Sequence, residues 1–217
     1  MRRKRVAVLI SGRGSNMTAL IAAAKAADFP AEIVVVISNR PDAAGLKYAT
    51  SAGIVTVTVD HATFGKDRAA FERALHQELQ SHQVDIVCLA GFMRLLTPWF
   101  VQQWAGRMLN IHPSLLPSFK GLHTHESAIH AGVKIHGATV HFVIPEMDSG
   151  PIVAQVAVPV LDNDTPDALA SRVLMAEHRL YPLALRLVAE DRTRIVDGRC
   201  HIVGAATAEQ VLVVPEG

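Results

Sequence analysis

The chain has 217 residues, half of them apolar, with 21 Lys and Arg against 20 Asp and Glu. That size suits one sizeable core, and a formal net charge of +1 gives no global field for nucleic acid or a membrane surface. No apolar run reaches the ~18 residues of a membrane span, the run 6–10 is too short for a secretory signal, and two cysteines make no disulfide framework, so a reduced, cytoplasmic protein is expected.

The run 6–10 is continuously apolar and stops at Ser11-Gly12-Arg13-Gly14, as a strand buried on both faces does. Ser15 is placed to cap an Ala-rich helix from 16 to about 27. A second buried strand over 33–37 closes at Ser38-Asn39-Arg40-Pro41, and a short helix over 43–51 and a β-branched strand over 55–59 follow. Phe71, Leu75 and Leu79 share one face of a helix over 66 to about 82. Strands over 84–90, with Cys88 as a core thiol, and over 108–111 flank a short helix opened by Pro98. This alternation predicts a Rossmann-like, doubly wound, mostly parallel α/β sheet.

The pattern then changes. Residues 115–121 read as a loop and 124–131 as a short helix. The segments 137–143 and 152–160 alternate and pair antiparallel through the turn Asp148-Ser149-Gly150-Pro151. Thr165-Pro166-Asp167 opens a long helix to about 190, which Pro182 should kink or interrupt. Residues 193–203 suit a terminal hairpin, and the Ala-rich tail beyond 204 reads as loosely held.

The Gly-rich turn at 11–16 follows a strand and opens a helix, where free N–H groups favour an anion. A dinucleotide fingerprint fails at its third glycine, where Met17 stands. The second strand also lacks an acidic residue at its end for a ribose hydroxyl, although Arg40 keeps a 2′-phosphate reading open. Gly14, Ser15 and Asn16 suit one terminal phosphate, and a tight strand-to-helix turn is the bland alternative.

Asn110 and His112 alternate with Ile111, so on a strand they share a face, and Pro113 keeps His112 extended. Alone, Asn110 reads as a strand-end cap, His112 as a half-buried histidine, and Asp148 as a turn residue bonding its own backbone. Together, an amide donor, a proton carrier and a carboxylate can stabilise an oxyanion and manage protons in acyl transfer. Histidines are dense here: His112, His123, His125, His130, His136 and His141. They lack a zinc spacing, so no metal is expected, and His123-Thr124-His125 reads as the border of a polar pocket. The spacing around Glu177-His178 favours a solvated helix face.

The run from Asn110 to Pro117, with Gly121 and Asp148-Ser149-Gly150-Pro151, resembles the 10-formyltetrahydrofolate-dependent formyltransferases over about residues 6–199. The turn at 12–16, Gly121-Leu122-His123-Thr124-His125 and Glu177-His178 resemble the branch that formylates a glycinamide ribonucleotide in de novo purine synthesis. The resemblance implies a single domain over 1–217, with a phosphate-binding half of about 1–100, a folate and catalytic half of 101–203, and the tail. It implies 10-formyltetrahydrofolate as co-substrate, no nucleic-acid or membrane partner, and a monomer or homodimer. It makes Asn110, His112 and Asp148 the catalytic trio, with Asn110 also facing the folate. Gly14, Ser15 and Asn16 would hold the ribonucleotide phosphate, and Glu177 its ribose or glycinamide end. Met93, Arg94, Leu95 and Leu96 would line the folate pocket with Arg68, a match that needs a small length difference near Gly65-Lys66. Ser118-Phe119-Lys120 departs from the usual pattern of Pro or Arg before Gly121. Two related activities compete. Methionyl-tRNA formyltransferase usually adds a C-terminal domain and a basic tRNA face, and formyltetrahydrofolate deformylase usually adds an N-terminal domain. A non-catalytic nucleotide-binding module is the reading from another class.

Overall fold

The structure, a computed structural model, describes residues 2–204 and 213–214. The tail expected to be loose lies otherwise outside the described residues. Seven strands form one sheet: β1 (Lys4–Ile10), β2 (Ala31–Ser38), β3 (Val55–Thr58), β4 (Ile86–Leu89), β5 (Met108–His112), β6 (Ile135–Phe142) and β7 (Ile152–Pro159). Their order is β3-β2-β1-β4-β5-β6-β7. The first five strands in sequence pair in parallel, and β6 joins β5 and β7 in antiparallel fashion. The chain turns from β1 outward to β2 on one side and returns to β4 on the other. A crevice at the carboxyl ends of β1 and β4 follows from that reversal, as it does in open α/β sheets generally.

Among the described residues six α-helices cover the sheet: α1 (Ser15–Ala24), α2 (Ala44–Ser51), α3 (Arg68–Ser81), α4 (Pro98–Gln103), α5 (Thr124–His130) and α6 (Pro166–Ala189). Strand periodicity sorts the core into two layers. Val6, Val8 and Ile10 of β1 pack with Met17 and Leu20 of α1 and with Tyr181 of α6. Ala7 and Leu9, on the other face, pack with Phe71, Leu75 and Leu79 of α3 and with Phe100 beyond them. Each such Leu or Phe removed from water contributes about 1.5–3 kcal/mol. A β8–β9 hairpin (Thr193–Val196 and Arg199–Ile202) closes the described chain, as its sequence predicted.

Helix starts follow their caps where a side chain supplies one. Asp67 accepts from Ala70 N at 2.8 Å to open α3, and Thr97 and Thr165 cap helices that have Pro at the first turn. Ser15 departs from expectation. It is the first residue of α1, while Gly14 holds the cap position at φ 71°, so the Ser15 hydroxyl is not the cap. Pro182 does not interrupt its helix, because α6 runs through it from Pro166 to Ala189. The missing N–H costs one helical bond. The flanking Leu180, Tyr181, Ala184 and Leu185 are buried on the sheet and keep the helix whole. Finally, the alternation in β6 does not mark a solvent face, since His136, Thr139 and His141 are buried along with its apolar residues.

Candidate active site

Two loops and a helix end meet at the carboxyl edge of the sheet. The turn after β1 brings Gly14 into the left-handed region, where a Cβ would approach Met17 Cε to 3.1 Å. Among the described residues no side chain caps α1, so its first N–H groups remain available to an anion. The turn forms one wall of a cavity of about 380 Å³, which Asn39, Arg40, His61, Gly91, Met93 and Arg94 complete. Arg13 adds positive charge to its rim, whereas Arg40 is held in an ion pair with Asp42 at 2.7 Å.

Asn16 links this turn to α6. Its Nδ2 donates to Glu177 Oε2 at 2.8 Å. Glu177 is 6% exposed, which overturns the solvated face that its spacing favoured. The helix buries that face because α1 and the sheet pack on it. Burial pushes the Glu177 carboxyl upward from the ordinary range, and the Asn16 bond partly offsets it. One turn further on, the Tyr181 hydroxyl donates to the carbonyls of Leu89 and Leu109 at 3.0 and 3.2 Å. α6 is therefore tied to β4 and β5 one turn beyond the point where Glu177 meets the phosphate-suited turn.

The segment after β4 carries Met93, Arg94, Leu95 and Leu96. Met93 and Leu95 expose 65% and 67% of their surface, and of the segment's apolar side chains Leu96 packs on the core. Polar tethers hold the rest. Ser11 Oγ accepts from Met93 N at 2.7 Å, Arg68 donates to the Leu95 carbonyl, and Glu72 accepts from Thr97 N at 2.7 Å and from the Thr97 hydroxyl. Arg68, despite the length difference before it, reaches the segment with which the resemblance groups it.

Asn110 and His112 lie on one face of β5, as their spacing predicted, and His112 is 6% exposed. Asp148 comes from the loop between β6 and β7. Gly150 lets that loop fold back, since a Cβ there would lie 1.8 Å from the Phe142 carbonyl oxygen. Asp148 takes a φ of 50°, and its Oδ2 stands 3.6 Å from His112 Nδ1. Its carboxylate accepts from Gly121 N at 2.9 Å, so it serves a residue far along the chain and not its own turn. The structure thus gathers all three.

The register of β5 and β6 adds a residue that the sequence reading passed over. His141 faces Asn110 across the pair, with Asn110 Nδ2 3.3 Å from His141 Nε2. His141 Nδ1 donates to the Phe142 carbonyl at 2.9 Å, which leaves Nε2 as an acceptor for the amide. Burial keeps this imidazole neutral by lowering its pKa, against the pull of the Phe142 carbonyl and Asp148. The signal lay in strand pairing, which a lone histidine in an alternating run does not display.

The loop after β5 closes over the trio. Phe119, at φ 54°, turns its carbonyl to accept from His112 Nε2 at 2.9 Å, and Lys120 Nζ donates to Ser149 Oγ at 2.6 Å. Thr139 supports the loop from β6 by donating to Ser114 O and accepting from Leu116 N. His123 is exposed and pairs with Glu126, and His125 packs edge-on against His136. Neither lines the cavity described above. Among the described residues no group of three His, Cys, Asp or Glu is placed to hold a metal ion. The arrangement offers a turn suited to an anion, an amide and an imidazole on one face of β5, and a carboxylate beside the imidazole.

A family model described as "Formyl transferase" matches residues 4–185. The chain belongs to this family. It is 52% identical over 89% of its length to the trifunctional purine biosynthetic protein adenosine-3 of Bos taurus, of which it spans 19%. It therefore covers about a fifth of such multifunctional relatives. It is 44% identical to phosphoribosylglycinamide formyltransferase of Escherichia coli, over 92% of this chain and 93% of that one. In structure it is similar to glycinamide ribonucleotide transformylase 1 from Symbiobacterium toebii, with a TM-score of 0.90 and 46% identity over 93% of this chain and 94% of that one. The formyl transferase fold is thus matched, a mostly parallel sheet with antiparallel strands at one end.

Proposed function

We propose that this formyl transferase moves the formyl group of 10-formyltetrahydrofolate to the amine of 5′-phosphoribosylglycinamide, giving formylglycinamide ribonucleotide and tetrahydrofolate in de novo purine biosynthesis. The observation that carries the reading is the Asn110, His112 and Asp148 cluster, joined through α6 to a phosphate-suited turn. A relative named for this activity, matched over nearly its whole length, supports it.

Gly14, Ser15 and Asn16 hold the ribonucleotide phosphate on the start of α1. Glu177, already bonded to Asn16, receives the ribose or glycinamide end. Met93, Arg94, Leu95 and Leu96, with Arg68, hold the folate, and the two exposed apolar side chains offer a surface for its flat ring. Asn110 stands between the two substrates. When the amine attacks the formyl carbon, the carbonyl oxygen gains negative charge. The second N–H of Asn110 Nδ2 and the Nε2–H of His112 donate to it. The His112 donor is engaged here by the Phe119 carbonyl, so the loop gives way as the formyl group arrives. One such donor lowers the barrier by roughly 3–4 kcal/mol. Asp148 faces Nδ1 of the same ring and balances its positive charge. It also helps pass a proton from the attacking amine to the leaving folate nitrogen.

The test is an absorbance assay for tetrahydrofolate formation with and without the ribonucleotide. Turnover that depends on ribonucleotide supports the transferase. Turnover with water alone marks a deformylase, and no turnover marks a binding module.

A further inference from the structure

We propose that Ser11 is a positioning residue for the folate co-substrate: its hydroxyl, oriented by Asn39, pins Met93 to the phosphate turn. The inference rests on the reading that residues 93–96 hold the folate. Ser11 is the last residue before the Gly-rich turn and is 8% exposed. A serine at a strand end commonly bonds its own neighbourhood. Here both partners are remote. The hydroxyl donates to Asn39 Oδ1 at 2.6 Å and accepts from Met93 N at 2.7 Å, and Ser11 N donates to Gly91 O at 3.1 Å. The ends of β1 and β2 and the segment after β4 thus meet at one hydroxyl.

Its polarity is set by its partners. Met93 N–H can only donate, so the hydroxyl lone pair turns to it and the hydroxyl proton goes to Asn39. Asn39 is itself fixed, being 3% exposed with its backbone carbonyl accepting from His61 Nδ1 at 2.8 Å. The pinned end depends on this bond because the Met93 side chain is 65% exposed, whereas Leu96 packs on the core at the other end. The other two tethers, from Arg68 and Glu72, act at Leu95 and Thr97, on the far side of Arg94. Without the Ser11 hydroxyl, Met93 N loses its acceptor and this end is held only through Gly91 and the packing of Phe92. Ordering that end then falls to the folate when it binds, and affinity drops.

Ser11→Ala, Ser11→Thr and Asn39→Ala are compared with the wild type by thermal unfolding and by steady-state kinetics in each substrate. Ser11→Ala should raise the folate KM about tenfold, the effect of one hydrogen bond. Its kcat should stay within about threefold, because the trio is untouched. Asn39→Ala should show the same split more weakly, and Ser11→Thr, which keeps the hydroxyl, should return towards the wild type. An unchanged folate KM in Ser11→Ala overturns the proposal. So does an equal loss in kcat and both KM values that Ser11→Thr does not repair, which would mark a merely structural serine. If the wild type itself transfers no formyl group, the functional reading fails instead. Tetrahydrofolate binding to the wild type and Ser11→Ala then decides the Ser11 claim by the same tenfold criterion.

Discussion

Asn110 on β5 and His141 on β6 face each other across an antiparallel pair, the amide nitrogen 3.3 Å from a ring nitrogen that can only accept. One amide N–H is spent on His141. The other is thereby left for the formyl oxygen in the proposed transfer. A side-chain amide can otherwise flip or rotate, and the neutral imidazole removes that freedom. His141→Ala is expected to lower kcat by about ten- to a hundredfold with both KM values within about threefold of the wild type, since the donor is misplaced but the substrates still bind. Steady-state kinetics in each substrate checks this, and a change confined to KM would show that His141 does not orient the donor.

The phosphate turn yields a prediction with a different signature. Ser15→Ala and Asn16→Ala should each raise the ribonucleotide KM by at least about tenfold and leave the folate KM near its original value. Equal increases in the two constants would argue against a phosphate at this turn.

Glu177 combines its proposed binding role with a cost to stability. Its folded pKa is raised by burial, so between the ordinary carboxylate value and the raised one the folded protein holds a proton that the unfolded chain has released. Stability therefore falls as pH rises through that window. Glu177→Gln removes the ionisation and still accepts from Asn16. Thermal unfolding should show the variant more stable than the wild type at neutral pH, with the gap closing at about pH 4, near the ordinary carboxylate value. The same variant should bind ribonucleotide more weakly. A stability gap that does not change with pH would contradict the ionised, buried carboxylate.

His136 gives the opposite slope. It is buried, and its pKa is pushed down to about 4 by burial and then by His125, with His112 adding to the effect against the opposing pull of the Pro113 carbonyl. The unfolded chain binds the proton first. Stability should therefore drop as pH falls from the ordinary histidine value of about 6.5 towards 4. His136→Phe, which keeps an aromatic ring beside Phe119, should flatten that drop in denaturant titrations repeated across this range. A slope unaltered by the substitution would place the acid sensitivity elsewhere.

The features that sequence exposed are those whose physics is local. Apolar runs closed by Gly-rich or Asn-containing turns marked β1 and β2, Pro98 and the Thr165-Pro166 pair marked the starts of α4 and α6, and the Asn110–His112 spacing put both on one face. The features it hid depend on contacts between distant segments. Glu177 looked solvated because its partner Asn16 is 161 residues away. His141 looked like one more strand residue until the register set it against Asn110. Pro182 looked like a break because packing on the sheet, invisible in a single helix pattern, compensates for one lost bond. Ser15 has the chemistry of a cap, but Gly14 takes the non-helical position that a cap needs, because only glycine adopts the left-handed turn freely.

The central claim is that His112 and Asp148 act on the reacting formyl group and not on the fold. The most direct measurement is the single-turnover rate of formyl transfer to glycinamide ribonucleotide, with wild type, His112→Ala and Asp148→Ala all saturated with both substrates. The account predicts rates roughly a hundred- to a thousandfold below wild type for His112→Ala, and a large loss for Asp148→Ala, with folding intact by circular dichroism. Near-normal transfer by either variant would contradict it.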